Sequence, residues 1–323
     1  MTTQNAIGPI VVRAPRAPRA MPSTETLIRL KTWTPLRQAL PASALLARAE
    51  RQARQSWALD GEERREAIAS MATIVTGTPR EPDLMAIARR HLIEMFAGRV
   101  LFWERWEPPT VDPATAEHLQ SALASGGGLV LSACHTGPYY RSLLTFHARG
   151  RTAWAVSGTW FFEPPTPDYW GRRLAHWWNE TRTNLIEARG SRETIRRLLL
   201  AGEIVNICFD MPGPRPTQFL GKPMMLAEGT ARLAVETGAL ILPMRIRRVG
   251  HGALQQFAPP IDARDFAGVE DVHHAVAAVH ERWILEDPSP MTDPRGFGWK
   301  RWATPDRWIA PKPEIPGPDL AAG

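Results

Sequence analysis

Three short apolar runs of this chain are followed immediately by residues able to do chemistry. His135 follows Leu-Val-Leu-Ser-Ala-Cys, Glu187-Ala-Arg189-Gly190 follows Asn-Leu-Ile, and Asp210 follows Ile-Val-Asn-Ile-Cys-Phe. If these runs are parallel strands, His, Arg and Asp converge on the carboxyl rim of one sheet, where α/β proteins bind their ligands. An imidazole with an ordinary pKa of about 6.5 can take a proton from an attacking hydroxyl at neutral pH. After His135 comes Thr136-Gly137-Pro138, a turn expected to open a helix over 138–149. The free N–H groups of that helix would face an oxyanion or phosphate. Each residue also has a plainer reading: a histidine packed after its strand, Arg189 in a surface ion pair, Asp210 capping the turn at Pro212-Gly213.

The elements that must position these groups alternate along the chain. Strands are predicted at 129–134, 152–156, 184–187, 204–209 and 239–246. Between and around them lie helices at 114–124, 138–149, 167–180, 192–201, 227–237 and 269–286. Apolar strands separated by helices imply βαβ units, so the expected class is α/β, with a largely parallel sheet flanked by helices. Upstream, Ile68, Met71, Ala72 and Val75 share one helical face, and Asp60-Gly61-Glu62-Glu63 supplies acid where a helix macrodipole favours it. The expected organisation is a flexible basic Pro/Arg-rich arm over 1–40, a single domain over 41–303 and a Pro-rich tail over 304–323. Within the domain, 41–112 forms a helical lead-in and 113–303 an α/β core.

Composition narrows the partners. The 323 residues are 44% hydrophobic and 22% charged, a globular balance, and the net charge of +6 favours anionic partners. These would be lipid head groups, CoA phosphates, acidic carrier proteins or nucleic acid. No helix-turn-helix, zinc-finger spacing or RNA-binding aromatic motif accompanies the charge, so nucleic acid is not expected. No H-x-x-x-H or H-x-x-E-H spacing occurs, and His273 and His274 are adjacent on a helix, facing different directions. No metal or other cofactor is expected. Two cysteines, Cys134 and Cys208, are too few for a disulfide framework and suggest a reducing compartment.

Neither a signal peptide nor an apolar run of about 18 residues is visible, so a membrane would be met from its surface. Thirteen tryptophans suit that setting. Trp160-Phe-Phe-Glu-Pro-Pro, with Trp170, Trp177 and Trp178, reads either as an acyl-chain lining or as core packing. Arg245-Ile-Arg247-Arg248 reads as a head-group or carrier-protein contact, or as a solvated strand end.

Five segments, in order, resemble the bacterial lipid A late acyltransferases, members of the glycerolipid acyltransferase superfamily, as are the related mycobacterial phosphatidylinositol mannoside acyltransferases. They are Gly127-Gly-Leu-Val-Leu-Ser-Ala-Cys-His135-Thr-Gly, Arg192-Glu-Thr-Ile-Arg-Arg-Leu-Leu-Leu-Ala-Gly202, Ile207-Cys-Phe-Asp210-Met-Pro-Gly213, Phe219-Leu-Gly-Lys-Pro223 and Gly229 through Pro243. The resemblance covers roughly 55–302. It implies transfer of an acyl group from acyl carrier protein or acyl-CoA to a hydroxyl of a membrane lipid or glycolipid. It also implies a peripheral site of action on the anionic cytoplasmic face of the bacterial inner membrane.

In that family a histidine and an acid five residues later form the catalytic pair. His135 matches the first, but the second position is Tyr140. Three arrangements follow: Tyr140 orients the ring, another acid (Asp210 or Glu228) reaches it, or transfer is lost and a lipid- or carrier-binding protein remains. By the same resemblance Asp210 helps bind the acceptor or order the site. Arg189 is a phosphate or head-group ligand, and Gly137, Phe219, Gly221 and Lys222 belong to the substrate site.

Overall fold

The computed structural model describes residues 41–102, 107–158 and 183–292. Three helices come first: α1 (Ala42–Ala58), α2 (Glu62–Val75) and α3 (Leu84–Leu101). Each buries one stripe, as a 3.6-residue period requires: Leu46, Ala49 and Ala53 on α1; Ala67, Met71, Ile74 and Val75 on α2; Ile87, Ala88, Leu92 and Ala97 on α3.

The sheet follows, with β1 (Thr110–Val111), β2 (Leu129–Ala133), β3 (Ala153–Ser157), β4 (Asn184–Glu187), β5 (Ile204–Cys208), β8 (Leu240–Val249) and β9 (Gly252–Phe257). Their order is β1-β9-β8-β2-β5-β3-β4. All neighbours are parallel except β8 and β9, which form a hairpin. The helices are α4 (Ala116–Ala124), the short α5 (Leu144–His147), α6 (Arg192–Leu200), α7 (Gly229–Thr237) and α8 (Val269–Glu286). The mixed, mostly parallel sheet flanked by helices, with its helical N-terminal region, is the architecture expected from the sequence.

β2 lies at the centre, and all five of its residues are buried. That explains its unbroken apolar run, since a central parallel strand is covered on both faces. Alternation sends Val130, Cys134, Val205 and Phe209 to one face, packed with α6, α7, α8 and with Met71, Ile74 and Ile87 of the helical lead-in. Leu129, Leu131, Ala133 and Ile204 face the other way, against Leu119 and Ala122 of α4 and Phe146. The lead-in and the α/β part therefore share one core. Ion pairs reinforce that seam: Arg248 on β8 pairs with Glu94 of α3 and Glu50 of α1.

Three elements differ from the sequence expectation. The helix predicted over 138–149 is a 3-10 turn (Tyr139–Arg141) followed by the one-turn α5. The stretch after Asp210 forms a separate antiparallel hairpin, β6 (Pro212–Phe219) with β7 (Lys222–Leu226). Strands β1 and β9 have no counterpart among the predicted elements. The helix expected at 167–180, the aromatic cluster from Trp160 to Trp178, the basic arm and the Pro-rich tail lie outside the described residues.

Candidate active site

His135 continues β2 by two residues, and Asp210 continues β5 by two. The strands are parallel neighbours in a register that pairs Ala133 with Cys208. The next step along each brings His135 beside Asp210. Two hydrogen bonds tie them. The His135 backbone N–H donates to Asp210 Oδ2 at 2.8 Å, and Nδ1 donates to Oδ1 at 2.8 Å. One carboxylate thus fixes both the main chain and the ring, and it favours the tautomer that leaves Nε2 without a proton. Asp210 is fully buried, while the His135 side chain keeps 11% of its exposure.

The surrounding chain holds the histidine turn on every side. The His135 carbonyl accepts from the Thr292 N–H at 2.7 Å, and the Gly137 N–H donates to the Pro290 carbonyl at 2.7 Å. Gly137 has a φ of +55°, and a Cβ there would come within 2.5 Å of the Ile246 carbonyl oxygen on β8. Only glycine allows that approach. The N–H groups of His135, Thr136 and Gly137 are all engaged, by Asp210, the Cys134 carbonyl and the Pro290 carbonyl. These three N–H groups are therefore spoken for, and in place of the long helix expected after Pro138 there is a 3-10 turn and the one-turn α5.

Burial opposes a charge on the His135 ring, but the hydrogen-bonded Asp210 carboxylate and the neighbouring Cys208 sulfur outweigh that effect. The ring's pKa is raised well above the ordinary histidine value. Tyr139 meets the ring edge-on, with centroids 4.9 Å apart. Tyr140, at the position where the family motif has its acid, packs edge-on against Phe102 at 4.8 Å and lies 5.9 Å from Tyr139. Glu228, the other acid considered, is held by Arg215 and Arg232. The acid beside the ring is Asp210.

Cys208 completes the cluster. Its sulfur, a His135 ring nitrogen and an Asp210 oxygen lie within 4.8 Å of one another. Donors of these three types can also hold a divalent metal ion. Sequence reading gives Cys208 no role. The available signal is its position two residues before Asp210, at the end of the apolar run.

The remaining predicted site residues scatter. Phe219 is fully buried and packs on Phe209 with centroids 5.7 Å apart. Gly221, at φ +69°, lets the β6–β7 turn approach the Gly77 carbonyl, which a Cβ would meet at 2.6 Å. Lys222 Nζ donates to the Thr73 carbonyl at 2.6 Å. These contacts dock the loop, and with it the hairpin, onto the helical lead-in. Arg189 is exposed after the edge strand β4. Three strand spacings separate β4 from β2, about 14 Å. In the basic cluster, Arg245 pairs with Glu286 and Arg248 with Glu94 and Glu50, so two of its three charges are already neutralised.

A cavity of about 420 Å³ opens beside the histidine turn, within the range of small-ligand pockets. Gly137, Tyr139 and Tyr140 form one wall, and Met95, Phe102 and Met291 contribute apolar surface. No helix among the described residues is long and apolar enough to cross a membrane.

The model of the bacterial lipid A biosynthesis acyltransferases matches residues 92–291, and the chain belongs to that family. It is an acyltransferase enzyme of lipid metabolism. Among solved structures, the 1-acyl-sn-glycerophosphate (LPA) acyltransferase PlsC from Thermotoga maritima is similar, at 16% identity and a TM-score of 0.38, over 69% of this chain and 94% of that one. None of the curated proteins matches the chain.

Proposed function

We propose that the protein transfers a fatty acyl group from a thioester donor, acyl carrier protein or acyl-CoA, to a hydroxyl of a membrane glycolipid or phosphoglycolipid. His135 is the general base and Asp210 its orienting carboxylate. The observation carrying this reading is the two-point bond between Asp210 and His135, at 2.8 Å to the ring and 2.8 Å to the main chain. A lipid hydroxyl in contact with Nε2 would lose its proton to the ring as its oxygen attacks the thioester carbonyl. Asp210 stabilises the imidazolium that forms. The tetrahedral intermediate collapses, the carbon–sulfur bond breaks, and the ring gives its proton to the departing thiolate.

The raised ring pKa has a consequence. The base form is scarce at mildly acidic pH, and turnover rises with pH as the ring deprotonates. The cavity beside Tyr139 and Tyr140 is the proposed seat for the apolar part of a substrate. Arg189, exposed on the same rim of the sheet, is the proposed contact for a phosphate on a large acceptor. The +6 charge suits action at an anionic membrane surface on the cytoplasmic side.

The test is lipid mass spectrometry of cells lacking the gene, complemented with wild type, His135→Ala or Asp210→Asn. The acylated product should return only with wild type. Its undiminished return with His135→Ala would overturn the assignment.

A further inference from the structure

We infer that Cys208 is the acyl-accepting nucleophile of a Cys208–His135–Asp210 triad, so that transfer proceeds through a thioester on the enzyme. This rests on the reading of His135 as the base and of the donor as a thioester.

Three observations carry the inference. First, the Cys208 sulfur, a His135 nitrogen and an Asp210 oxygen lie within 4.8 Å of one another, and the His135 ring is hydrogen-bonded to Asp210. A nucleophile, a base and a group that orients the base form the arrangement that activates a thiol. Second, strand register places them together. Ala133 on β2 is the direct partner of Cys208 on β5, so His135 and Cys208 stand two residues apart in register at the same rim. Third, the two cysteines differ in the way this role requires. Cys208 ends the strand at the sheet rim and is partly exposed. Cys134 points to the opposite face, is buried, and has its thiol pKa pushed up by that burial.

The chemistry balances. In the first half-reaction the Cys208 sulfur attacks the donor carbonyl while its proton passes to His135. The new carbon–sulfur bond forms, the carbon–sulfur bond to the carrier breaks, and the carrier thiolate takes the proton. One thioester replaces another, so the step is nearly isoenergetic. In the second, the lipid hydroxyl gives its proton to His135 and attacks the Cys208 thioester. An ester bond forms, and the Cys208 sulfur leaves and recovers the proton. The enzyme then never needs to hold a bulky carrier and a bulky lipid at the same moment.

The experiment incubates purified full-length protein with lauroyl-CoA, and separately with lauroyl-acyl carrier protein, in the absence of lipid acceptor. After an acid quench, intact mass and peptide mapping follow. We expect one lauroyl group on the peptide carrying Cys208, removable by neutral hydroxylamine, present in Cys134→Ala and absent from Cys208→Ala. Cys208→Ser should carry no hydroxylamine-sensitive adduct. Overall transfer by Cys208→Ala should fall on the order of 10³-fold. An absent adduct, or a Cys208→Ala variant turning over at the wild-type rate, overturns the triad. If His135→Ala remains inactive in that case, direct attack by the lipid hydroxyl with His135 as base survives. If His135→Ala is also fully active, the underlying reading fails instead.

Discussion

Two groups of histidines lie either side of Phe209 and Asp210, and the protein treats them in opposite ways. On one side is His135 at the rim. On the other, His273 and His280 of α8 flank the Phe209 ring, with centroids at 5.2 and 5.3 Å. All three are buried. His280 bonds the Ser132 hydroxyl at 2.8 Å and His273 the Thr217 hydroxyl at 2.8 Å, neutral partners that give a charged ring no compensation. Burial drives both down to a pKa of about 4. His135 suffers the same burial, yet Asp210 lifts it above the ordinary value. The difference is one carboxylate, close enough to bond the ring. Asp210 also acts on His280, from farther away, and burial wins there. Of these three buried histidines, only the one that an acid touches has its pKa raised.

The largest effect should come from removing that acid. Asp210→Asn should keep the fold, since the amide oxygen can still accept from the His135 main chain. It should lower turnover by about 10³- to 10⁴-fold, the scale seen when a triad carboxylate is neutralised. The rising limb of the pH–rate profile should move to lower pH, a change that a merely structural defect would not produce. An Asp210→Asn protein with wild-type turnover would break the comparison.

Next come the core histidines, read through stability. Their folded pKa lies below the unfolded one, so between about 6.5 and 4 the unfolded chain binds more protons and stability falls as pH falls. A tenfold difference in proton affinity between the folded and unfolded chain corresponds to about 1.4 kcal/mol, so the two rings together amount to several kcal/mol. His135 has the reverse sign: its stabilising contribution is complete below the unfolded pKa and is lost as pH rises through its raised value. Urea titrations at pH 7 and pH 5 should show a smaller acid loss in His280→Gln than in wild type. An equal loss would mean that the ring is not held neutral.

Smaller again is the effect expected at the hairpin. Lys222→Met removes a charged hydrogen bond to the Thr73 carbonyl and should cost about 1–3 kcal/mol by denaturation, with KM unchanged. A raised KM at intact stability would place Lys222 in the substrate site. The smallest effect belongs to Tyr140. Because Asp210 already supplies the charge, Tyr140→Phe should alter turnover by no more than a few-fold, and Tyr140→Asp should not raise it. A gain in Tyr140→Asp would show that the motif position still limits the enzyme.

The sequence makes the sheet legible because β2, β5 and β8 are central and each begins with an apolar run shortly after a glycine. It does not reveal the β6–β7 hairpin, because Pro212, Pro214 and Pro216 alternate along a strand that a proline-free rule would reject. The helix expected after Pro138 does not form because the turn is fixed by Gly137 against β8 and by residues 290–292, contacts more than a hundred positions away. The same limit applies to the site. His135 is legible as a rim residue, and Asp210 stands among the acids able to reach it. Choosing between Asp210, Glu228 and Tyr140 requires knowing that β2 and β5 are neighbours in a particular register. Nothing within five residues of His135 encodes that.

The central claim, that Asp210 provides what position 140 lacks, is tested most directly by nitrogen-15 NMR of the histidine side chains across pH in wild type, Asp210→Asn and Tyr140→Phe. The account predicts a His135 ring that carries its neutral-form proton on Nδ1 and titrates well above 6.5 in wild type and in Tyr140→Phe, with that elevation lost in Asp210→Asn. A His135 signal that titrates normally in wild type, or that responds to Tyr140→Phe and not to Asp210→Asn, would contradict it.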